Sequence, residues 1–242
     1  MSDVNICLVV SCYFGPRRGS ASGYACLEKL VLSLNELKPL NFTYLIIVVN
    51  GVYKIDHLVD ALRPLATYGG ITIEVMARNN TGFSYGAWNR ALCHSIRRGD
   101  SFTHYFLLED DYYPLMNDFF TPFLNERYAY TASLVSHFPK LHASIPNGLL
   151  RQDVARIALE TFGSIFDLGG LDRTDQGTSY IDAERIQVGF LDFIFNLCEA
   201  RSDIKLCALG DISANFRVPF VYHGNLKYFG NADAPMPIMP IL

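Results

Sequence analysis

Three consecutive carboxylates, Glu109, Asp110 and Asp111, follow directly on the apolar run Tyr105–Leu108. The apolar run predicts a buried strand, so the three side chains should stand together at the end of a core element. Charges so close to one another and to a core cost free energy unless something neutralises them. Carboxylate oxygens are hard ligands, and the expected remedy is therefore Mg²⁺ or Mn²⁺. The alternative interpretation is an acidic loop that only solvates the strand end.

Two other polar features follow predicted strands earlier in the chain. The strand Val4–Ser11 leads into a loop, Tyr13–Ser20, that contains two adjacent arginines, and the strand Tyr44–Val49 ends at Asn50-Gly51. In an open α/β sheet, ligands bind at the carboxyl ends of the strands. We therefore expect these features to meet the carboxylates at one edge of a sheet, where a nucleoside diphosphate and its metal could bind.

The elements that would carry these residues alternate along the first half of the chain. Ile71–Met76 is a third apolar run, and apolar residues at helical spacing between the runs predict helices over Tyr24–Leu37, Leu58–Leu65 and Trp88–Ile96. Strands that are continuously apolar and alternate with helices are typical of a mostly parallel sheet covered on both faces. The predicted fold class is therefore α/β.

The second half is less regular. We expect strands there at Ala132–Ser136, His142–Ile145, Ile204–Ala208 and Val218–Tyr222, and helices at Gln152–Phe162 and Ala183–Glu199. A glycine-rich loop is expected over Gly163–Ser179. The tail from Asn231 carries three prolines and is typical of an arm or linker. The expected organisation is one domain over residues 1–230 followed by a proline-rich tail, 231–242.

The composition excludes several classes of protein. Half of the 242 residues are hydrophobic and 18% are charged, which is typical of a globular domain. The net charge of −4 argues against nucleic acid as a partner. No apolar run is long enough to span a membrane, Met1–Asn5 is not the start of a signal peptide, and the six cysteines form no CxxC pair. We therefore expect free thiols and a cytoplasmic location, with peripheral membrane association left open.

The motifs that carry a family resemblance occur in a fixed order. They are Ser11-Cys12-Tyr13-Phe14-Gly15 after the first strand, Asn50 after the second, Asn80-Thr81-Gly82-Phe83-Ser84-Tyr85-Gly86-Ala87-Trp88-Asn89 after the third, and Glu109-Asp110-Asp111 with Pro114 after the fourth. From about Val4 to about Phe229 this order resembles the GT-A-type glycosyltransferases, especially the large inverting family that includes many bacterial and viral enzymes. The resemblance implies a single GT-A-like domain with a Rossmann-like N-terminal half. Its nucleotide-sugar part would cover about 1–115 and its acceptor part about 116–230.

The resemblance also implies roles for individual residues. The donor would be held by Ser11, Tyr13, Arg17, Asn50, Asn80, Gly82, Glu109, Asp110 and Lys227. The resemblance implies Mn²⁺ or Mg²⁺ ligands at Asp111 and His223, and a catalytic base at Asp182 or Glu184. Asn147–Asp153 would form a turn that leads into a helix beside the acceptor.

The implied reaction moves a hexosyl or pentosyl group from a nucleoside-diphosphate sugar to a glycan or other hydroxyl acceptor, with inversion. A uridine diphosphate sugar is the favoured donor, since this nucleotide is the commonest in the resembling family. A metal and basic side chains would stabilise the diphosphate as it leaves, and a carboxylate would take the acceptor proton.

Other interpretations stay open at this level. A nucleotidyltransferase would make a nucleotide sugar instead of using one, and a non-catalytic sugar- or nucleotide-binding module of a larger protein would only bind it. A dinucleotide-binding dehydrogenase is disfavoured because no GxGxxG follows a strand. We interpret Trp88, Tyr112 and Tyr113 as packing residues, and His223 outside the resemblance as an ordinary core or surface histidine.

Overall fold

A computed structural model describes most of the first two thirds of the chain. The described residues are 4–13, 23–37, 39–51, 56–110, 112–114, 117, 119–124, 129–136, 142–166 and 226–228, with helical positions at 186, 189, 190, 193, 196 and 200. The helical positions fall within the expected helix Ala183–Glu199 or directly after it. The arginine loop, the glycine-rich loop from residue 167 onwards, the two short strands expected after residue 200 and the proline-rich tail lie outside the described residues.

The first half alternates strands and helices as the apolar pattern predicts. Its elements are β1 (Ile6–Tyr13), α1 (Gly23–Glu36), β2 (Tyr44–Asn50), α2 (Asp56–Gly69), β3 (Thr72–Arg78), α3 (Phe83–Arg98) and β4 (His104–Glu109). The later described elements are β5 (Tyr112–Pro114), a short 3-10 turn (Thr121–Phe123), β6 (Tyr130–Ser136), β7 (His142–Arg151), α4 (Gln152–Phe162) and β8 (Leu226–Tyr228).

The main sheet has six strands in the order β3-β2-β1-β4-β7-β6. The first four are parallel, whereas β7 pairs antiparallel with β4 and β6 pairs antiparallel with β7. The prediction of an α/β fold with a mostly parallel sheet is confirmed. Because β1, β2, β3 and β4 run in the same direction, their carboxyl ends lie at one edge of this sheet.

Both faces of the sheet are buried. Cys7 and Val9 of β1 belong to a core cluster with α3 and α4, whereas Leu8 and Val10 belong to a second cluster with α1 and α2. Alternate side chains of a strand point to opposite faces, so a strand covered on both sides must be apolar throughout. This two-sided burial is the reason for the uninterrupted apolar runs in the sequence.

The free cysteines are part of this core. Cys7, Cys12, Cys26 and Cys93 are buried and form no disulfide, as expected from their apolar surroundings. Burial raises the pKa of the Cys7 and Cys93 thiols, which keeps them protonated and unreactive near neutral pH. Within the described part of the chain, none of the helices combines the length and the apolar character needed to cross a membrane.

The structure corrects one expectation about the second half. Asn147–Arg151 is the end of strand β7, and α4 begins immediately after it, so there is no separate turn. Leu149 pairs with Phe106 on one side and Thr131 on the other, and it is buried. Pairing and burial on both sides outweigh the turn preference of the Asn147-Gly148 dipeptide.

A polar network fixes the C-terminal end of α3. The Arg98 guanidinium donates to Glu74 of β3 at 2.8 Å, to the Tyr44 hydroxyl of β2 at 2.9 Å and to Asp100 at 2.7 Å. The Arg98 guanidinium is also the main reason that the pKa of the Asp100 carboxyl is lowered. Gly99 ends the helix in the left-handed conformation, with φ 86°. Helix α3 is therefore tied to β2 and β3 at the edge of the sheet opposite the candidate site.

Trp88 is the central packing residue of α3, as interpreted from the sequence. Its side chain is 0% exposed and contacts the rings of Tyr85 and Phe166 at centroid distances of 5.4 and 6.5 Å. Trp88→Ala should lower the free energy of unfolding by about 3–5 kcal/mol, because the lost contacts leave a cavity. Since Trp88 is the only tryptophan, urea unfolding followed by far-ultraviolet circular dichroism is the appropriate measurement.

The control for this prediction is Leu32→Ala on α1, because Leu32 is 51% exposed. This variant should stay within about 0.5 kcal/mol of the parent protein. Equal unfolding free energies for Trp88→Ala and the parent would contradict the packing role.

Candidate functional site

Asn50 lies at the junction of three strands and a helix. It ends β2, opposite Tyr13 of β1 and Arg78 of β3, and it is 1% exposed. The Asn50 amide nitrogen donates to Ser11 Oγ at 3.3 Å and to the Phe83 carbonyl at 3.5 Å. Its amide oxygen accepts from Arg78 at 2.7 Å. Both ends of the amide are thus used within the protein, so Asn50 organises this edge of the sheet.

Arg78 extends this arrangement into the turn between β3 and α3. Its Nη2 donates to both the carbonyl and the hydroxyl oxygen of Thr81, each at 2.7 Å. The guanidinium therefore bridges the end of β2 and the turn that precedes α3. Burial, with a smaller contribution from the charge of Arg90, lowers the pKa of Arg78. The pKa of a free arginine is so high that the side chain stays cationic.

Gly86 leaves the space that the guanidinium occupies. A Cβ atom at this position would lie 2.0 Å from the Thr81 carbonyl oxygen, and 2.6 and 2.8 Å from the two terminal nitrogens of Arg78. Any side chain here would push the turn and the guanidinium away from the helix. The glycine inside α3 is thus required by the close approach of Arg78, although glycine weakens a helix by itself.

The start of α3 has an unusual backbone. Gly82 and Phe83 both have left-handed conformations, with φ of 70° and 50°. This conformation is ordinary for glycine but costs free energy for phenylalanine. The next residue, Ser84, donates from its hydroxyl to Glu109 Oε1 at 2.6 Å. The first turn of α3 therefore binds one of the three carboxylates, where the positive end of the helix dipole also favours a negative charge.

Asp110 connects the ends of β1 and β4. Its backbone N–H donates to the Ser11 carbonyl at 3.0 Å, and its carboxylate accepts the Tyr13 N–H at 3.2 Å. The residue is 2% exposed. Asp110 thus holds Tyr13, at the end of β1, against the end of β4.

The chain returns to this cluster from its far end. Strand β8 pairs antiparallel with β5, which places Lys227 opposite Tyr113, two residues after Asp111. His223 lies three residues before β8 and, like Asp111, outside the described residues. Among the residues that the structure does describe, no group of three side chains could hold a metal ion.

The structure brings together a large part of the predicted site. Hydrogen bonds join four of these residues, Ser11, Tyr13, Asn50 and Asp110. Glu109 pairs with Ser11 across β1 and β4, and its carboxylate is bound by Ser84. Gly82 starts the helix that contacts two of them, and Asn80 lies in the adjoining turn. Three more predicted site residues lie outside the described residues, as Asp111 and His223 do: Arg17, Asp182 and Glu184. For a fourth, Lys227, only the backbone is described. The ligand, metal and catalytic roles of all these residues stay predictions.

Two residues of this edge had no role assigned from the sequence, namely Arg78 and Ser84. The sequence did offer one indication of a role for Arg78: it ends β3 at the position where Asn50 ends the neighbouring strand β2. Ser84 stands within the motif after β3, but only the left-handed backbone before it directs its hydroxyl to Glu109.

Several solved glycosyltransferases are similar in structure to this chain. They include the mannosyltransferase PcManGT of Pyrobaculum calidifontis in complex with GDP-Man and Mn²⁺, with 13% identity, a TM-score of 0.46, and coverage of 69% of this chain but only 49% of the mannosyltransferase. The galactosyltransferase LgtC in complex with donor and acceptor sugar analogues has 10% identity, a TM-score of 0.41, and coverage of 77% of this chain and 72% of that chain. The glycosyltransferase GlyE of Streptococcus pneumoniae TIGR4 has 11% identity and a TM-score of 0.38, and the match covers 91% of this chain and 51% of GlyE.

No protein-family model matches the sequence, and no curated protein matches it. The structural likenesses have TM-scores below 0.5, so they do not establish an activity for this chain.

Gly86→Ala tests the packing of Arg78 against α3. Alanine in place of a helical glycine normally stabilises a helix by about 1 kcal/mol. Here we expect the opposite sign, a loss on the order of 1–3 kcal/mol, because the new Cβ overlaps the Thr81 carbonyl. Thermal and urea unfolding measure the difference.

Gly189→Ala is the matched control. Gly189 is also helical, but a Cβ there meets nothing within 4 Å. It should be neutral or stabilising. If Gly86→Ala were as stable as Gly189→Ala, the close approach of Arg78 to the helix would be wrong.

Proposed function

We propose that this protein is a glycosyltransferase that takes a sugar from a nucleoside-diphosphate sugar. The observation that carries the proposal is the convergence of polar side chains at one edge of the parallel sheet. The ends of β1 and β2 are joined by Asn50 and Ser11, and the ends of β1 and β4 by Asp110 and Tyr13. Ligands of open α/β sheets bind at such an edge. The order of the motifs in the sequence supports the same class.

The donor would lie over the ends of β1, β2 and β4. Asp110 holds the backbone at Tyr13, and Asn50 holds Ser11, so the end of β1, where the loop Tyr13–Ser20 begins, is held in place by the protein itself. Arg17 follows in that loop and would supply positive charge to the diphosphate. The strand β8 brings the backbone of Lys227 to the same region, which supports a second cation there.

The carboxylates fit a divalent cation. Glu109 and Asp110 supply hard oxygen ligands or orient their neighbour, and Asp111 follows them directly. The resemblance gives Asp111 and His223 as the proposed ligands, and the two described carboxylates, Glu109 bound by Ser84 and Asp110 bound by the Tyr13 N–H, would lie beside the cation. A cation bound by these residues would neutralise the charge that develops on the leaving diphosphate.

The acceptor would be a glycan or another hydroxyl compound. Its hydroxyl is a weak nucleophile until a carboxylate removes the proton, and we assign this role to Asp182 or Glu184. Attack on the face opposite the diphosphate would invert the anomeric carbon. A uridine diphosphate sugar is the favoured donor, with the transferred group a hexose or a pentose.

The metal requirement is tested with Asp111→Asn. This change keeps the shape of the side chain but removes its charge, so Mn²⁺-dependent release of nucleoside diphosphate from a nucleotide sugar should fall at least about 100-fold. A panel of UDP- and GDP-sugars, assayed with and without an acceptor glycan, measures transfer and hydrolysis separately. Thermal stabilisation by nucleoside diphosphate with Mn²⁺ identifies the base that binds.

Asp60→Asn is the control, because Asp60 on α2 has an exposed side chain that pairs with Arg63 of the same helix. It should keep full activity. Equal turnover by the parent protein with excess chelator would reject the metal, and formation of a nucleotide sugar from a nucleoside triphosphate would identify a nucleotidyltransferase instead.

The catalytic base is tested with Asp182→Asn and Glu184→Gln. Two residues apart at the start of a helix, the two side chains would point in different directions, so one of them should face the acceptor. The variant that removes the base should lose transfer by about two to four orders of magnitude. Its donor affinity should change little, because the base contacts the acceptor. Near-normal transfer by both variants would move the base to Asp153, Asp172 or Asp175.

A further inference from the structure

We propose that Arg78 is a positioning residue that orients Glu109 through the first turn of α3. The inference rests on the proposed function, because it concerns Glu109, which would lie beside the bound cation. Arg78 itself contacts no carboxylate among the described residues. It acts through Asn50, Thr81 and the backbone at Phe83.

The bonding of Arg78 is unusual for a cation. Its described hydrogen bonds go to three neutral oxygens, one on Asn50 and two on Thr81. A guanidinium in a partly buried position loses solvation, and a neutral acceptor compensates for this less well than a carboxylate. Within the part of the chain that the structure describes, the side chain is therefore poorly explained as a stabilising ion pair. Its planar fork instead suits a bridge between two backbone segments, the end of β2 and the turn before α3.

The bridge sets the position of the helix start. Arg78 fixes the Asn50 amide, and that amide in turn donates to the Phe83 carbonyl. Phe83 has a left-handed backbone that persists only if the surroundings hold it. The hydrogen bond at its carbonyl and the anchored Thr81 supply this restraint on either side of Gly82.

The helix start in turn sets the carboxylate. Ser84 is the residue after Phe83, and its hydroxyl donates to Glu109 at 2.6 Å. At the other end of α3, Arg98 holds the helix to β2 and β3. Because that end is fixed, a loosened Arg78 should displace mainly the first turn of α3. The displacement would then reach Glu109 through Ser84.

The test is a double-mutant cycle on Mn²⁺ affinity. Arg78→Met keeps the length of the side chain and removes all donors, and Ser84→Ala removes the hydroxyl that binds Glu109. Each should weaken Mn²⁺ binding by about 10-fold, within the range for residues that orient metal ligands. If Arg78 acts through Ser84, the double variant should bind Mn²⁺ about as well as either single variant. Titration of free Mn²⁺ by electron paramagnetic resonance measures these affinities.

Arg156→Met is the matched control, because Arg156 is exposed on α4 and the same charge is lost. Its Mn²⁺ affinity should be unchanged. Thr81→Val is a milder second variant that removes one of the three acceptors and keeps the side-chain shape. It should show a smaller loss, about two- to five-fold, and it provides the test if Arg78→Met does not fold.

Amide hydrogen exchange of the metal-free protein gives an independent readout. Arg78→Met should accelerate exchange in the first turn of α3 and leave the last turn, near Arg98, protected. Uniformly faster exchange along the helix would mean a general structural role and would overturn the inference.

The outcomes separate the two proposals. If the parent protein binds no Mn²⁺, the metal-dependent function fails and this inference fails with it. If the parent protein binds Mn²⁺ but Arg78→Met and Thr81→Val bind it equally well, only the inference fails. Additive losses in the double variant would also overturn it, because Arg78 and Ser84 would then act independently. A loss of nucleotide affinity without a loss of Mn²⁺ affinity would make Arg78 a ligand contact instead.

Discussion

The hydrogen bonds of one buried amide, that of Asn50, determine the geometry of the candidate site. A buried amide must satisfy both its oxygen and its nitrogen, and Asn50 does so with β1, β3 and the start of α3. Each of these three partners adjoins a further part of the site. β1 is followed by the loop, β3 is followed by the turn before α3, and the start of α3 contains the serine that binds Glu109. A site built from the ends of separate strands needs such a connection, because the sheet itself fixes only their spacing.

Most of the sheet could be predicted from the sequence, whereas the connections between its strand ends could not. The runs at β1, β2 and β4 are apolar throughout because both faces are buried, and this signal is local. The end of β7 was expected to be a turn because Asn147-Gly148 has a turn preference, and only pairing with β4 and β6 overrides it. From the sequence alone, Arg78 cannot be distinguished from any other charged residue at a strand end. Its role is visible only in the structure, where Gly86 leaves space for the guanidinium.

Two residues of the candidate site depart from the local preferences of their residue types. Phe83 adopts a backbone conformation that phenylalanine disfavours, and Gly86 occupies a helix that alanine would favour. Each is locally unfavourable, and each is explained by a neighbour at the edge of the sheet. Deviations of this kind concentrate where a protein places functional groups, since the fold elsewhere follows the local preferences of its sequence.

The pairing of β5 with β8 has a consequence for the order of folding. These strands are separated by more than a hundred positions in the chain, yet β5 begins immediately after the three carboxylates. During synthesis β1, β2, β3 and β4 are complete and able to pair well before residues 226–228 leave the ribosome. Such distant contacts close late, because bringing the ends of a long loop together costs entropy. The sheet can therefore form first on a nascent chain that still lacks β8. On such a chain, the edge of the sheet would be incomplete until β8 is made.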